Sequence, residues 1–364
     1  MKIYDLIIIL LAIIMLSGCS TLNEFSVIGD NNEAVSFNGI SDVLEKEKYV
    51  NVIFIHGMGG YACPDNPICD PNPAIKDIQN NFPYLHRSGE DYFRLEHDEK
   101  LIGKLWLHKT KSMDGSKAIN YYVLDWSQTV DMKKAILLED NSQENAKYRL
   151  ERMNQIKSYL LNNNIADAAL YMGDYKEAMQ RPIIQALRII SENTKTNRFS
   201  NVIVTFSLGS SITFDSIQKM LDSKSTDDRI GAKEFARNTH LFFMLANQLP
   251  LIGLSEISSD SVGQKSSVLP SGLQSFVNAR AVSVPEPWVI AISDPNDQLS
   301  YPILSYMRKL RKNTFVTVYN SVQKTAYWIP GFGKVTDPIY AHTGYGVDKK
   351  TMDLLINGYT VPSE

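Results

Sequence analysis

The sequence predicts an α/β fold with a mostly parallel central sheet and helices on both faces. Three observations carry this. Apolar and β-branched runs that read as buried strands recur at Tyr49–Ile55, Ile119–Leu124, Asn201–Phe206, His240–Ala246, Trp288–Ser293 and Thr314–Tyr319. Helical patterns fall between them, and that alternation demands crossover connections and hence parallel pairing. Polar and glycine-rich residues stand directly after several runs, where the carboxyl ends of parallel strands build sites.

The chain starts with Met1-Lys2 and an apolar run from Leu6 to Leu16, followed by Ser17-Gly18-Cys19. Eleven apolar residues are too few for a bilayer-spanning helix, which needs about 20, but suit the apolar region of a secretory signal. Leu16-Ser-Gly-Cys19 resembles the lipobox of bacterial lipoproteins. That resemblance implies a signal peptide over 1–18, cleavage before Cys19 and acylation of that cysteine. It thus implies a chain held at the bacterial envelope, with more than one acyl chain needed for stable anchoring. By resemblance to enterobacterial lipoprotein sorting, Ser20 rather than Asp after the cysteine implies the outer membrane. The competing reading is an uncleaved apolar anchor.

Residues 19–44 are polar and mixed, a tether and lead-in to the sheet with a short strand expected at Ala34–Phe37. The rest, 45–364, reads as one domain. At 364 residues and 44% hydrophobic, the chain can bury a sizeable core. A net charge of −3 and pI near 6.1 give no reason to expect a nucleic-acid partner. Oligomeric state is not specified. With Cys19 lipidated, Cys63 and Cys69 remain, with five residues between them, two of them prolines. In an exported chain that pair reads as one disulfide, with two free thiols as the alternative.

Tyr61 to Lys117 is long for one connection and includes an extra strand at Leu105–Lys109. From Asp131 to Asn197 the pattern is helical, with Ala146, Leu150, Met153 and Leu160 on one face. Asp174-Tyr-Lys-Glu177 is a candidate capping box, and Pro182 should kink or restart the helix it falls in. Residues 127–198 exceed what one crossover requires; a helical cap and ordinary crossover helices fit equally. Residues 250–287 read as a long irregular connection.

The most informative stretch is Asn201-Val-Ile-Val-Thr-Phe-Ser207-Leu-Gly-Ser-Ser-Ile-Thr-Phe-Asp215. A strand stops at a serine, a glycine follows two residues on, and a helical pattern begins. Such a strand–turn–helix can raise a serine hydroxyl above a buried sheet. Upstream, Ile55 leads into His56-Gly57-Met58-Gly59-Gly60, whose glycines let the backbone turn tightly and present an N–H group. Downstream, Ser293 leads into Asp294-Pro-Asn-Asp297, and a long loop after Tyr319 carries Ala341-His342-Thr-Gly-Tyr345. The order Ser207, Asp297, His342 resembles that of α/β-hydrolases, closest to the lipase, esterase and thioesterase branches.

The resemblance implies Ser207 as nucleophile, His342 as base and Asp297 as the acid that orients it, without metal or organic cofactor. Asp294 competes with Asp297, the loser being a turn residue. Backbone N–H groups of Leu208 and Met58, or Gly59 in place of Met58, would form the oxyanion hole. The expected substrate is a small-molecule or lipid carboxylic ester; thioester and amide cleavage by the same residues stay open, as does a non-catalytic envelope scaffold. His342 is chosen over His56, His86, His97, His108 and His240 because it alone follows the last strand. The serine competes with an N-cap role, and Thr205 stands where the Gly-x-Ser-x-Gly pattern has glycine. Asp125 and Asp215 read as strand-end and helix-surface residues. Trp328–Phe332 reads as acyl-pocket lining or a hydrophobic loop anchor.

Overall fold

A computed structural model of the chain describes residues 20–21, 25–29, 32–59, 72–139, 147–148, 150–151, 157–194, 199–257, 270–280, 287–304, 314–329 and 333–363. In chain order the elements are β1 (Ser20–Thr21), β2 (Phe25–Ile28), α1 (Ile40–Glu47), β3 (Tyr49–Ile55), α2 (Asn72–Asn81), β4 (His86–His97), β5 (Lys100–Lys111), β6 (Ala118–Asp125) and α3 (Gln128–Leu138). A π-helical segment (Lys157–Ile165) runs into α4 (Ala166–Met172), then α5 (Lys176–Asn193), β7 (Ser200–Phe206), α6 (Gly209–Leu221), α7 (Thr226–Arg237) and β8 (Thr239–Leu245). The remainder is α8 (Leu249–Ile252), α9 (Ser271–Arg280), β9 (Val289–Ser293), β10 (Phe315–Asn320), β11 (Thr325–Ile329), β12 (Gly333–Val335), α10 (Pro338–Thr343) and α11 (Lys349–Asn357).

Nine strands form one sheet in the order β2-β10-β9-β8-β7-β3-β6-β5-β4. The six from β10 to β6 are mutually parallel, and β2, β5 and β4 add antiparallel edges. Helix α11 packs against both α1 and α2, and α5, α6, α7 and α9 form a second group. The parallel strands are apolar runs because helices cover both their faces. Val50, Val52, Ile53 and Phe54 in β3 and Val202, Ile203 and Val204 in β7 are fully buried.

One internal device fixes the strand register and another seats a helix on the sheet. Asn51 of β3 donates from Nδ2 to Asn201 Oδ1 of β7 (2.9 Å) and accepts from Asn120 Nδ2 of β6 (3.2 Å). These three asparagines face one another in the ladder, so a one-residue slip would strand buried amides without partners. At the other end of the fold, Phe214 of α6 stacks on Phe242 of β8 (4.4 Å between centroids), and Phe276 of α9 packs against both. This aromatic cluster seats α6, the helix that follows Ser207. Each such ring contributes about 1.5–3 kcal/mol by burial.

The topology also locates a crevice. After β3 the chain goes out to β4 at the edge, comes back through β5 to β6 beside β3, and then passes to β7 on the opposite side of β3. Strand order therefore reverses around β3, and the carboxyl ends of β3 and β7 border the opening that such a reversal creates.

Several expectations are corrected. The lead-in strand is Phe25–Ile28, paired with β10 at the edge. Ala34–Phe37 contributes only a bridge from Phe37 to Tyr359, and the helix α1 follows. The expected Leu105–Lys109 strand extends over Lys100–Lys111 and pairs with β4 as a long hairpin. Leu150 is outside any helix and 78% exposed, so it forms no apolar face; Ala146 and Met153 lie outside the described residues. Asp174 caps nothing: α5 begins after Tyr175 with no side-chain cap. It also runs through Pro182 without restarting, because Pro182 is buried and packs near Gly103 of β5. The 250–287 connection contains α8 and α9. Cys19, Cys63, Cys69, Gly60 and Pro330–Phe332 lie outside the described residues; Trp328 is on β11 and 44% exposed.

Candidate active site

Ser207 follows β7 directly and has φ +50°, a left-handed backbone conformation costing about 1–3 kcal/mol for a residue with a Cβ. Its amide donates to Leu245 O of β8 at 2.8 Å, so the strand pairing continues up to the turn. The chain then reverses into α6, whose first residue is Gly209. Two glycines make the turn fit. A Cβ on Gly209 would stand 2.6 Å from His56 O, and one on Gly57 would stand 2.5 Å from Phe206 O and 2.6 Å from Ser207 Cβ. The end of β3 and the serine turn are thus packed backbone against backbone.

Thr205 solves its own steric problem. It is fully buried; its hydroxyl donates to Phe243 O at 3.0 Å and lies 2.7 Å from Ser210 Oγ. Ser210, also fully buried, leaves room for the threonine that a larger helix residue would occupy.

His342 Nε2 lies 3.1 Å from Ser207 Oγ, and His342 Nδ1 lies 2.9 Å from each carboxylate oxygen of Asp297. Because a carboxylate only accepts, the shared proton sits on Nδ1, and the Nε2 lone pair faces the serine hydroxyl. His342 is on the short helix α10, not on an open loop. Asp337 caps that helix, accepting from the amides of Ile339 and Tyr340, which fixes the pose of the imidazole. The next long helix starts at Lys349.

The two aspartates take different places. Asp297 accepts from His342, from the Leu299 amide (3.0 Å) and from Tyr345 Oη (3.1 Å). Asp294 does not touch His342 among the described contacts. It accepts from the Val322 and Gln323 amides on one oxygen and from Asn296 on the other, joining the loops after β9 and β10. Its own amide donates to Tyr345 Oη at 2.6 Å. Tyr345 is fully buried; burial, then the charge of Asp297, pushes its phenol well above the ordinary range. It stays protonated and donates. Sequence reasoning missed this residue, whose only signal is its position three after His342.

His56 does not reach Ser207 among the described contacts. Its Nδ1 faces Gly57 O (2.7 Å), while Nε2 lies between the Trp126 amide (3.0 Å) and Asp125 Oδ1 (3.1 Å). Trp126 stacks on its ring and donates from Nε1 to its carbonyl. The result is a brace between the ends of β3 and β6. Asp125 is part of that brace. Burial would raise its carboxyl pKa, but hydrogen bonds from His56, Gln128 and the Ser127 amide outweigh it and hold the group well below the usual carboxylate range. Asp215 is buried and not on the helix surface; it accepts from Tyr171 Oη (2.5 Å) and pairs with Lys176 (2.7 Å). His86 and His97 lie on β4, His108 pairs with Glu90, and His240 opens β8 at the far end of the sheet.

The proposed oxyanion donors border this serine. Leu208 follows it, and Met58 follows Gly57, whose backbone touches Ser207. Neither amide donates to an acceptor among the described residues. No group of three or more His, Cys, Asp or Glu among the described residues is placed to hold a metal ion.

The parallel sheet, the serine turn and the order of Ser, Asp and His along the chain define an α/β-hydrolase fold. No protein-family model and no curated protein matches the chain. Among solved structures the chain is similar to the peroxisomal α/β-hydrolase Lpx1 from Saccharomyces cerevisiae, at 8% identity and a TM-score of 0.29, covering 82% of this chain and 80% of that one.

Proposed function

We propose that the protein is a serine hydrolase that cleaves carboxylic esters through an acyl-enzyme intermediate. The observation that carries this reading is the continuous contact from Ser207 Oγ through His342 to Asp297. A serine hydroxyl is weakly nucleophilic until a neighbouring base takes its proton. Here Nε2 of His342 accepts that proton as Oγ attacks the ester carbonyl. Asp297 holds the tautomer and stabilises the imidazolium that forms. The carbonyl oxygen becomes an anion facing the Leu208 and Met58 amides, each worth about 3–4 kcal/mol when aimed at it. The imidazolium then protonates the departing alcohol, and water repeats the sequence on the acyl-enzyme.

A fluorophosphonate probe is expected to label the wild type and not Ser207→Ala, with ester hydrolysis lost in parallel. Equal labelling of both removes the assignment. A non-catalytic scaffold would leave His342 and Ser207 well apart; their 3.1 Å separation favours the enzyme.

The amino-terminal reading extends the proposal: acylation at Cys19 would hold the hydrolase at the bacterial envelope, with the outer membrane favoured by Ser20. Among the described residues no helix is long and apolar enough to cross a membrane. Metabolic labelling with a fatty-acid analogue is expected to mark the wild type and not Cys19→Ala; labelling of both would end this part of the proposal.

A further inference from the structure

The loop after β3 is held from outside by a charged pair with no part in the proton transfers described above. Gly59 N–H donates to Asp167 Oδ2 at 2.7 Å. Asp167 is fully buried at the start of α4, and its other oxygen lies 3.0 Å from Nζ of Lys134, a buried residue of α3 that also faces Asp131 at 3.8 Å. Burial pushes the Asp167 carboxyl pKa up, against the opposing pull of Lys134 and the Gly59 amide. Gly59 has φ +79°, and a Cβ there would stand 2.3 Å from Asn164 Oδ1. Asn164 belongs to the π-helical segment that runs into α4, a rare helix form that occurs frequently at functional sites.

These contacts bear on one peptide. Gly57 is locked against Ser207 Cβ and Gly59 against Asp167, so Met58 between them is fixed at both ends. The Gly59 amide already donates to a carboxylate, so of the two candidate donors Met58 carries the amide that donates to no acceptor among the described residues. Taking a charged pair out of water is costly unless its geometry is good and its remaining atoms are hydrogen-bonded; here the Gly59 amide and Lys134 supply those partners to Asp167.

We propose that Asp167 is a positioning residue for the oxyanion hole. Its carboxylate holds the Gly59 amide and thereby aims the Met58 amide at the carbonyl oxygen above Ser207, with Lys134 as counter-charge. This rests on the serine hydrolase reading.

The test compares hydrolysis of a p-nitrophenyl ester and its thiono analogue by the full chain, as wild type, Ser207→Ala, Asp167→Ala and the double variant Asp167→Asn with Lys134→Met. Sulfur accepts hydrogen bonds weakly, so the ester-to-thionoester rate ratio reports the hole itself. Asp167→Ala is expected to lower kcat on the ester by about tenfold or more with little change in KM, and to shrink that ratio. The double variant keeps an acceptor for Gly59 and removes both charges; it is expected to restore the ratio. An unchanged kcat in Asp167→Ala, or an equal loss on both substrates, overturns the proposal. If Asp167→Ala does not fold, the double variant decides: a collapsed ratio in a folded protein overturns it as well. Failure of the hydrolase reading looks different, with wild type and Ser207→Ala alike on both substrates, and the positioning role falls with it.

Discussion

Tyr345 Oη stands 3.1 Å from Asp297 Oδ2 and 2.6 Å from the backbone nitrogen of Asp294. One buried phenol therefore links the two aspartates that compete in the sequence for the same role. It accepts from the Asp294 amide and donates to Asp297, so the loop after β9 is locked while the carboxylate is turned toward His342.

Tyr345→Phe keeps the ring and removes both hydrogen bonds. The Asp294 amide would be left buried without a partner, costing about 1–3 kcal/mol. Asp297 would keep the Leu299 amide and His342 but lose a third restraint. Denaturant unfolding should show that loss, and kcat should fall by about tenfold, far less than on removing Asp297, since the residue acts through another. A wild-type kcat would show that Asp297 needs no such support.

Asparagine substitutions separate the two acids. Asp297→Asn replaces an acceptor of the Nδ1 proton with a group that can stabilise the wrong tautomer, and kcat should drop by about four orders of magnitude. Asp294→Asn puts an amide NH2 against donors on Val322, Gln323 or Asn296. Its main effect should be on stability, about 1–3 kcal/mol. Steady-state kinetics and thermal unfolding of both variants, side by side, check this; the reverse pattern would exchange their roles.

The parallel core was legible because β3, β6, β7, β8, β9 and β10 are buried on both faces and read as apolar runs. The β4–β5 hairpin was not. His86–His97 is exposed along most of its length, so no apolar pattern marks it. Its turn uses Asp98 and Glu99, both at positive φ (49° and 61°), where the usual signal is Asn-Gly or Asp-Gly. The meeting of Ser207, Asp297 and His342 was readable because each stands after a strand of the same sheet. The contacts of Tyr345, Asp167 and Lys134 were not, since they join distant segments that no spacing encodes. Thr205 shows the limit of a motif: what the position requires is room, and Ser210 supplies it.

That reading of Thr205 has a consequence. Thr205→Val keeps the shape and removes the hydroxyl between Phe243 O and Ser210 Oγ, costing about 1–2 kcal/mol with modest change in kcat. Thr205→Gly would match the motif, yet it should be less stable, because it opens a cavity and adds backbone freedom worth about 0.5–1 kcal/mol. Chemical denaturation of the two variants ranks them; a glycine variant more stable than wild type would mean that the threonine strains the turn.

The brace at the ends of β3 and β6 sets an acid limit. The Asp125 carboxyl is held below its unfolded value of about 3.9. The unfolded chain therefore binds more protons than the folded one in acid, so this contribution is complete above that value and is lost as pH falls through it toward the folded pKa. Loss should loosen the contact with His56, whose carbonyl packs on Gly209, so activity and stability should decline together. Asp125→Asn is expected to be less stable than wild type near neutrality and to show a flatter loss between about pH 5 and 2. Unfolding free energy measured across that range checks it: parallel curves for the two proteins would place the acid sensitivity in another carboxylate.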